Sequence, residues 1–297
     1  MRAGFVSLVG RPNAGKSTLV NRLVGAKVAI VSDKPQTTRT RILGVGNFPQ
    51  GQAVFVDTPG IHKPMHRMNA RMVDSALSAM RDVDVVALVV DVTSPSGAGD
   101  RYVLGLLPRV QVPVVLALNK IDRLDKPGLL PIIERYSQQY EFADIVPVSA
   151  LTGDGVDRLT AVLISHLPEG EALYPDDYLT DQAERMLAAE FVREKLLHHL
   201  RDELPFVTAV VVDRFEEPGA DGILRLYCSI LVEQESQKAI VVGRRGEMIK
   251  RVGTDARHEL EAFFATRVFL DLHVKVRASW RDDDRLLEEM GLGPRRS

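Results

Sequence analysis

Short apolar runs recur along the first half of the chain, each followed by a loop and then by an amphipathic stretch. The runs are Phe5–Val9, Ala53–Asp57, Val83–Asp91, Val112–Asn119 and Ile145–Ser149. Their near-continuous Val, Ile and Leu content predicts strands covered by helices on both faces, because a strand wet on one side alternates instead. Ile42–Phe48, the turn Pro49-Gln50-Gly51 and Ala53–Asp57 predict a hairpin, and so one antiparallel pair at a sheet edge. The order is that of a doubly wound, mostly parallel α/β sheet.

The texture changes after Leu167. Pro168, Gly170 and Pro175 sit among Glu169, Glu171, Asp176 and Asp177, a composition that predicts a linker over residues 171–180. Near Pro168–Tyr178 it would let the rest of the chain change orientation. Beyond it come a helical stretch, Asp181–Glu203, two strand-like runs, Phe206–Phe215 and Leu224–Glu233, and two helical segments around Gly243–Gly246. The strand Val268–Val276 comes last. This α-β-β-α-α-β order predicts a compact α+β domain. The expected organisation is a first domain over 1–170 and a second over 181–297 with a C-terminal tail, comfortable for 297 residues.

A net charge of −2 argues against bulk attraction to nucleic acid, so any such site must be a local patch. The single cysteine, Cys228, excludes a disulfide framework and a cysteine metal cluster, and its place in a strand-like run makes it a core thiol. The longest apolar run, Val83–Val90, is far short of the ~20 residues of a spanning helix. The N-terminus enters a strand and a glycine loop without a signal-peptide pattern. The expected location is the cytoplasm. The histidines, His198 and His199 included, show no metal-ligand spacing.

Gly10-Arg11-Pro12-Asn13-Ala14-Gly15-Lys16-Ser17-Thr18 follows a predicted strand and opens a helix, the context a P-loop requires. Its glycines let the backbone wrap phosphates with N–H groups at the positive helix end. Lys16 then reaches the β- and γ-phosphates and the Ser17 hydroxyl is placed for Mg²⁺. Asp57-Thr58-Pro59-Gly60 ends a strand, so Asp57 can hold Mg²⁺ through water while the Gly60 N–H faces the γ-phosphate. Asn119-Lys120-Ile121-Asp122 ends another strand. A carboxylate at Asp122 accepts from the ring N–H and amino group of guanine, a donor pair adenine lacks. Ser149-Ala150 closes over the base. A small-molecule kinase shares the P-loop but has no use for Asn119–Asp122. GTP, with GDP as product, is the expected ligand.

Residues 1–170 resemble a translation-factor-class bacterial GTPase, and Ser32-Asp-Lys-Pro-Gln-Thr-Thr-Arg-Thr-Arg resembles switch I of the Era family. That resemblance implies Thr38 as the Mg²⁺ ligand of the GTP state, with Thr37 its nearby alternative. Two readings stay open for Asn13: holding K⁺ near the phosphates, as in related GTPases, or bracing the loop. Ile61 stands where many signalling GTPases carry a water-orienting glutamine, which predicts slow intrinsic hydrolysis or water held by another group. The expected catalytic set is Lys16, Thr38, Gly60 and Asn13.

Gly243-Arg244-Arg245-Gly246 between two helical segments matches the loop that clamps about four nucleotides in KH domains. Alone the motif is weak. Ile249 and Lys250 follow at helical spacing, and Lys238, Arg244, Arg245, Lys250, Arg251 and Arg257 outnumber Glu247 and Asp255. Ile240, Val242, Met248 and Ile249 could pack bases or fill core. This half also resembles the Era family, whose second domain is a type II KH domain, and the match runs on through Val274–Arg281, Asp282–Asp284 and Leu286-Leu287. The resemblance implies binding to the 3′ region of small-subunit (16S) ribosomal RNA, action in small-subunit assembly, and peripheral association with the inner face of the cell membrane. The sequence supplies no amphipathic basic helix for the last.

Overall fold

The computed structural model describes residues 1–61, 67–94 and 97–292, without the side chain of Lys126. Residues 293–297 of the expected C-terminal tail lie outside it. The chain forms two compact units that divide between Asp181 and Gln182.

The first unit alternates strand and helix: β1 (Arg2–Val9), α1 (Lys16–Val24), β2 (Ile42–Phe48), β3 (Gly51–Asp57), α2 (Arg67–Ala79), β4 (Val85–Asp91), α3 (Ala98–Leu104), β5 (Val114–Asn119), α4 (Leu129–Ser137), β6 (Asp144–Val148) and α5 (Val156–Ser165). The strands lie in the order β2-β3-β1-β4-β5-β6. All pair in parallel except β2 with β3, the hairpin expected at the edge. Every residue of β3, β4 and β5 is buried, as expected of strands sandwiched between helix layers. Leu19, Val20 and Leu23 of α1 and Leu159 and Leu163 of α5 cover one face. Ala76 and Ala79 of α2, Val103 of α3 and Tyr136 of α4 cover the other. Strand order reverses around β1, and in such sheets the crevice beyond the strands' C-terminal ends at the reversal is where ligands bind.

Residues 171–180 are no loose linker. The Gln52 side chain, fully buried in β3, donates to Tyr174 O at 2.8 Å. It accepts from Leu173 N at 2.7 Å and Tyr174 N at 2.9 Å. Val45 N donates to Leu179 O at 2.9 Å, and Thr180 Oγ1 to Leu43 O at 2.6 Å. Tyr174 and Tyr178 stack with ring centroids 4.7 Å apart, packed on Leu43, Val45 and Val54. Two aromatic rings on an apolar patch outweigh the entropy that the proline- and acid-rich composition suggested the segment would keep. It is a strap on the outer strands.

The second unit runs α6 (Glu184–His199), α7 (Leu204–Val207), β7 (Ala209–Glu216), β8 (Ile223–Val232), α8 (Glu235–Val242), α9 (Glu247–Phe264), β9 (Arg267–Val276) and α10 (Asp284–Glu289). Its sheet has the order β7-β8-β9, with β8 antiparallel to β7 and parallel to β9. The expected strand from Phe206 starts three residues late because Pro205 opens the short α7 instead. The helix expected over Asp181–Glu203 is shorter at both ends; Leu200 leaves it in an extended conformation. Val252, Ala256 and Leu260 of α9 are buried. Trp280, fully buried, donates from Nε1 to Val207 O at 2.9 Å. Cys228 is a core thiol, and burial pushes it up to about 12. Among the described residues, no helix is long and apolar enough to cross a membrane.

Candidate functional site

Five strand ends meet around the P-loop. Gly15, at φ 93°, hands the loop into α1 in a left-handed conformation. A Cβ there would lie 2.3 Å from Asn119 Nδ2, so only glycine admits this approach of P-loop and β5. Lys16 is buried with its ammonium on Arg11 O at 3.0 Å and Gly10 O at 3.3 Å. Burial pushes it down to about 8 against the pull of Asp57. Arg11 itself pairs with the buried Asp100 at 3.0 Å.

Ser17, Thr38 and Asp57 come together from α1, the switch I segment and β3. Ser17 Oγ donates to Asp57 Oδ2 at 2.7 Å and lies 2.7 Å from Thr38 Oγ1. Thr38 Oγ1 donates to the same Oδ2 at 3.0 Å. Asp57 Oδ1 is buried with no hydrogen-bond partner. Burial pushes the Asp57 carboxyl up, opposed by Lys16, Ser17 and Thr38. Three hard oxygens and an unsatisfied carboxylate atom suit Mg²⁺, which takes few protein ligands and shares its shell with phosphate. Thr37 is not in this cluster; its Oγ1 donates to Lys34 O at 2.6 Å. Thr58 Oγ1 is spent on Leu8 O at 2.7 Å. Gly60 sits hard against Pro12, its Cβ position 2.6 Å from Pro12 N. Ile61 donates its N–H to Gly10 O at 3.2 Å, and its side chain packs in the core with Val9 and Val56.

Asn119 fastens the base side. Its Nδ2 donates to Ala14 O at 2.8 Å, and its Oδ1 accepts from Ala150 N at 2.9 Å. Ser149 Oγ donates to Asp122 Oδ1 at 2.6 Å. Ile121 is half-buried against the core. A cavity of about 180 Å³ lies against Asp122, Asn119 and Ala150, and one of about 430 Å³ against Lys16, Ser17 and Thr38. Both touch Gly15, Thr18, Val31 and Lys120, so one ligand with a planar head and a phosphate tail can occupy them together. Asn13 Nδ2 donates to Asp33 O at 2.6 Å, tying the P-loop to switch I.

Among the lining residues that sequence reasoning missed are Val31 and Asp91. Val31 belongs to no motif. Asp91 ends β4, as Asp57 ends β3, but no motif marks it. Burial alone would raise its carboxyl, but hydrogen bonds from Lys120 and Thr93 outweigh this and hold it below the usual carboxylate range.

In the second unit Gly243 (φ 75°) and Gly246 (φ 79°) bracket Arg244 and Arg245, linking α8 to α9. Arg244, Arg245 and Lys250 are exposed, while Ile249, Met248 and Val242 are half-buried. Ile240 is 53% exposed, an apolar side chain beside the loop and outside the core. His199, by contrast, pairs with Asp255 at 2.6 Å.

Comparison with known proteins agrees with these features. A family described as 50S ribosome-binding GTPase matches residues 5–120, and the KH domain family matches 203–281. The chain is 48% identical to the GTPase Era of Geobacter metallireducens, over 98% of this chain and 97% of that one. It is similar, at TM-score 0.95 and 38% identity, to an Era structure from Aquifex aeolicus bound to GDP·AlF4⁻, covering 99% of this chain and all of that one. A further Era structure, in complex with MgGDPNP and nucleotides 1506 to 1542 of 16S ribosomal RNA, matches at TM-score 0.96 and 38% identity, with 99% of this chain covered and all of that one. The chain belongs to the Era family of GTPases.

Proposed function

We propose that the protein is a GTP-hydrolysing switch that binds the 3′ region of 16S ribosomal RNA through its second unit and acts in assembly of the small ribosomal subunit. One observation carries the nucleotide half: Asp122, Lys16, Ser17 and Thr38 line two adjoining cavities at neighbouring strand ends, with Asp57 hydrogen-bonded behind Ser17 and Thr38. The RNA half is supported by the exposed Arg244-Arg245 pair in the glycine loop and by the RNA held in the related Era complex.

Asp122 selects guanine, because a carboxylate held by Ser149 matches a ring N–H and an amino group together. Lys16 turns from Gly10 O and Arg11 O to the β- and γ-phosphate oxygens, exchanging two carbonyl dipoles for anionic partners. Mg²⁺, when bound through Ser17 and Thr38 with Asp57 behind, neutralises charge building between the β- and γ-phosphates. The Ile61 side chain is in the core and orients no water. That task falls to backbone, to another side chain or to a partner, while K⁺ would supply positive charge beside the phosphates. Turning the Asn13 amide would set its oxygen beside Asp33 O, two acceptors for such an ion. Once the γ-phosphate leaves, Thr38 and the Asp57–Gly60 loop lose a shared anchor and the switch segment is released. The site of action is the cytoplasm, including the inner membrane face.

The test is RNA affinity at fixed salt with GDP or with a non-hydrolysable GTP analogue. A several-fold difference is expected, with RNA changing nucleotide affinity by the same factor. Equal affinities would sink the switch.

A further inference from the structure

Asp91 and Asn119 are register partners at the ends of β4 and β5. The Asp91 side chain is only 10% exposed, and its two oxygens are committed. Oδ1 accepts from Thr93 N at 2.9 Å and Thr93 Oγ1 at 2.6 Å. Oδ2 accepts from Lys120 Nζ at 2.6 Å. The same ammonium donates to Asn13 O at 2.8 Å. Asn13 (φ 62°) and Lys120 (φ 70°) both hold left-handed backbone that side-chain-bearing residues seldom adopt. Lys120 therefore crosses from the end of β5 to the P-loop, and it lines the base cavity and the phosphate cavity alike. A lysine stem is rich in rotamers, so a fixed counter-charge is what holds it to this one path.

We propose that Asp91 is a positioning residue for guanine-nucleotide retention: its carboxylate anchors the Lys120 ammonium, which keeps base cavity and phosphate cavity in register before nucleotide arrives. It acts through Lys120, and it rests on the two cavities being one nucleotide site. Charge is the operative property. Asp91→Asn keeps the shape and the acceptor for Thr93 but leaves the ammonium without its counter-ion. Asp91→Glu keeps the charge on a longer stem that the partly exposed Lys120 can follow.

The experiment tracks release of a fluorescent GDP analogue from the full-length protein by stopped flow. Asp91→Asn is expected to release it about tenfold faster or more, the loss of one charge-assisted contact, and Asp91→Glu to stay within roughly threefold of the native rate. In a Lys120→Met background the Asp91→Asn step is expected to change release by less than about twofold, since partners acting as a unit are not additive. A bracing role at the Thr93 turn would shift Asn and Glu alike and persist without Lys120. The proposal is overturned by a native release rate in Asp91→Asn, by equal shifts in Asn and Glu, or by an undiminished effect in Lys120→Met. If Lys120→Met holds nucleotide too briefly to follow, the Asn–Glu comparison decides. Native protein that binds no GDP would defeat the nucleotide site itself, a separate outcome.

Discussion

The Ser149 hydroxyl donates to Asp122 Oδ1 at 2.6 Å, across the loops that end β6 and β5. The carboxylate is thus aimed before any base is present. Asp122→Asn swaps an acceptor for a donor against the guanine N–H pair. Two charge-assisted hydrogen bonds are lost, about 3 kcal/mol or more, so GTP affinity should fall at least about a hundredfold. Xanthosine triphosphate, which presents an acceptor there, should become the better ligand. Calorimetry with both nucleotides checks this, and a variant still preferring GTP would contradict it.

Lys16 gives a pH dependence with a definite sign. Burial brings the empty-site ammonium down to about 8 from its ordinary 10.5. Phosphates restore its charge, so binding takes up a proton above about pH 8 and GDP affinity falls as pH rises from there toward 10.5. The empty protein behaves oppositely. Between those values the unfolded chain holds a proton the folded one lacks, so this group adds stability as pH rises. Calorimetry at pH 9 in buffers of different ionisation enthalpy should report the uptake; a buffer-independent enthalpy would exclude it.

Replacing Ile61 by glutamine, the residue found there in many signalling GTPases, should not accelerate hydrolysis. The side chain packs in the core with Val9, Val56 and Met80, only 1% exposed. An amide buried there without a partner costs roughly 1–3 kcal/mol. A lowered unfolding midpoint at unchanged or reduced turnover is expected. Faster turnover at native stability would show that this loop rearranges to face the phosphate.

The two glycines of the KH loop should differ in tolerance. At Gly243 a Cβ would lie 2.6 Å from Met248 Cβ and 2.9 Å from Met248 N, whereas at Gly246 it meets nothing within 4 Å. Alanine at Gly246 suffers only from its positive φ; alanine at Gly243 also pushes α9 away. Gly243→Ala should therefore lower RNA affinity and stability more. Arg244→Ala and Arg245→Ala, both exposed, should each reduce the slope of log affinity against log salt by roughly 0.7 if each meets one phosphate. Filter binding across a salt series reads both effects.

Motif-bearing positions were legible because phosphate and guanine chemistry fixes residue type at a strand end, and strand ends are visible as apolar runs that stop. The mostly parallel sheet with one antiparallel pair at its edge followed from the same runs. Asp91 was not legible: its partner Lys120 is 29 positions away, and its value lies in that contact. The choice between Thr37 and Thr38 turned on which hydroxyl faces Asp57, which spacing alone does not encode. The strap misled because composition weighs Pro168, Pro175 and the acids equally with Tyr174 and Tyr178. Only the buried Gln52 amide and the patch at Val45 and Val54 show which residues dominate.

Because the strap is fastened as far as Thr180 and α6 begins at Glu184, three residues, Asp181, Gln182 and Ala183, join the last anchor to the next helix. Fully extended they span no more than about 11 Å. A cut or an insertion placed in this segment would therefore spare the strap's anchors on Gln52, Val45 and Leu43.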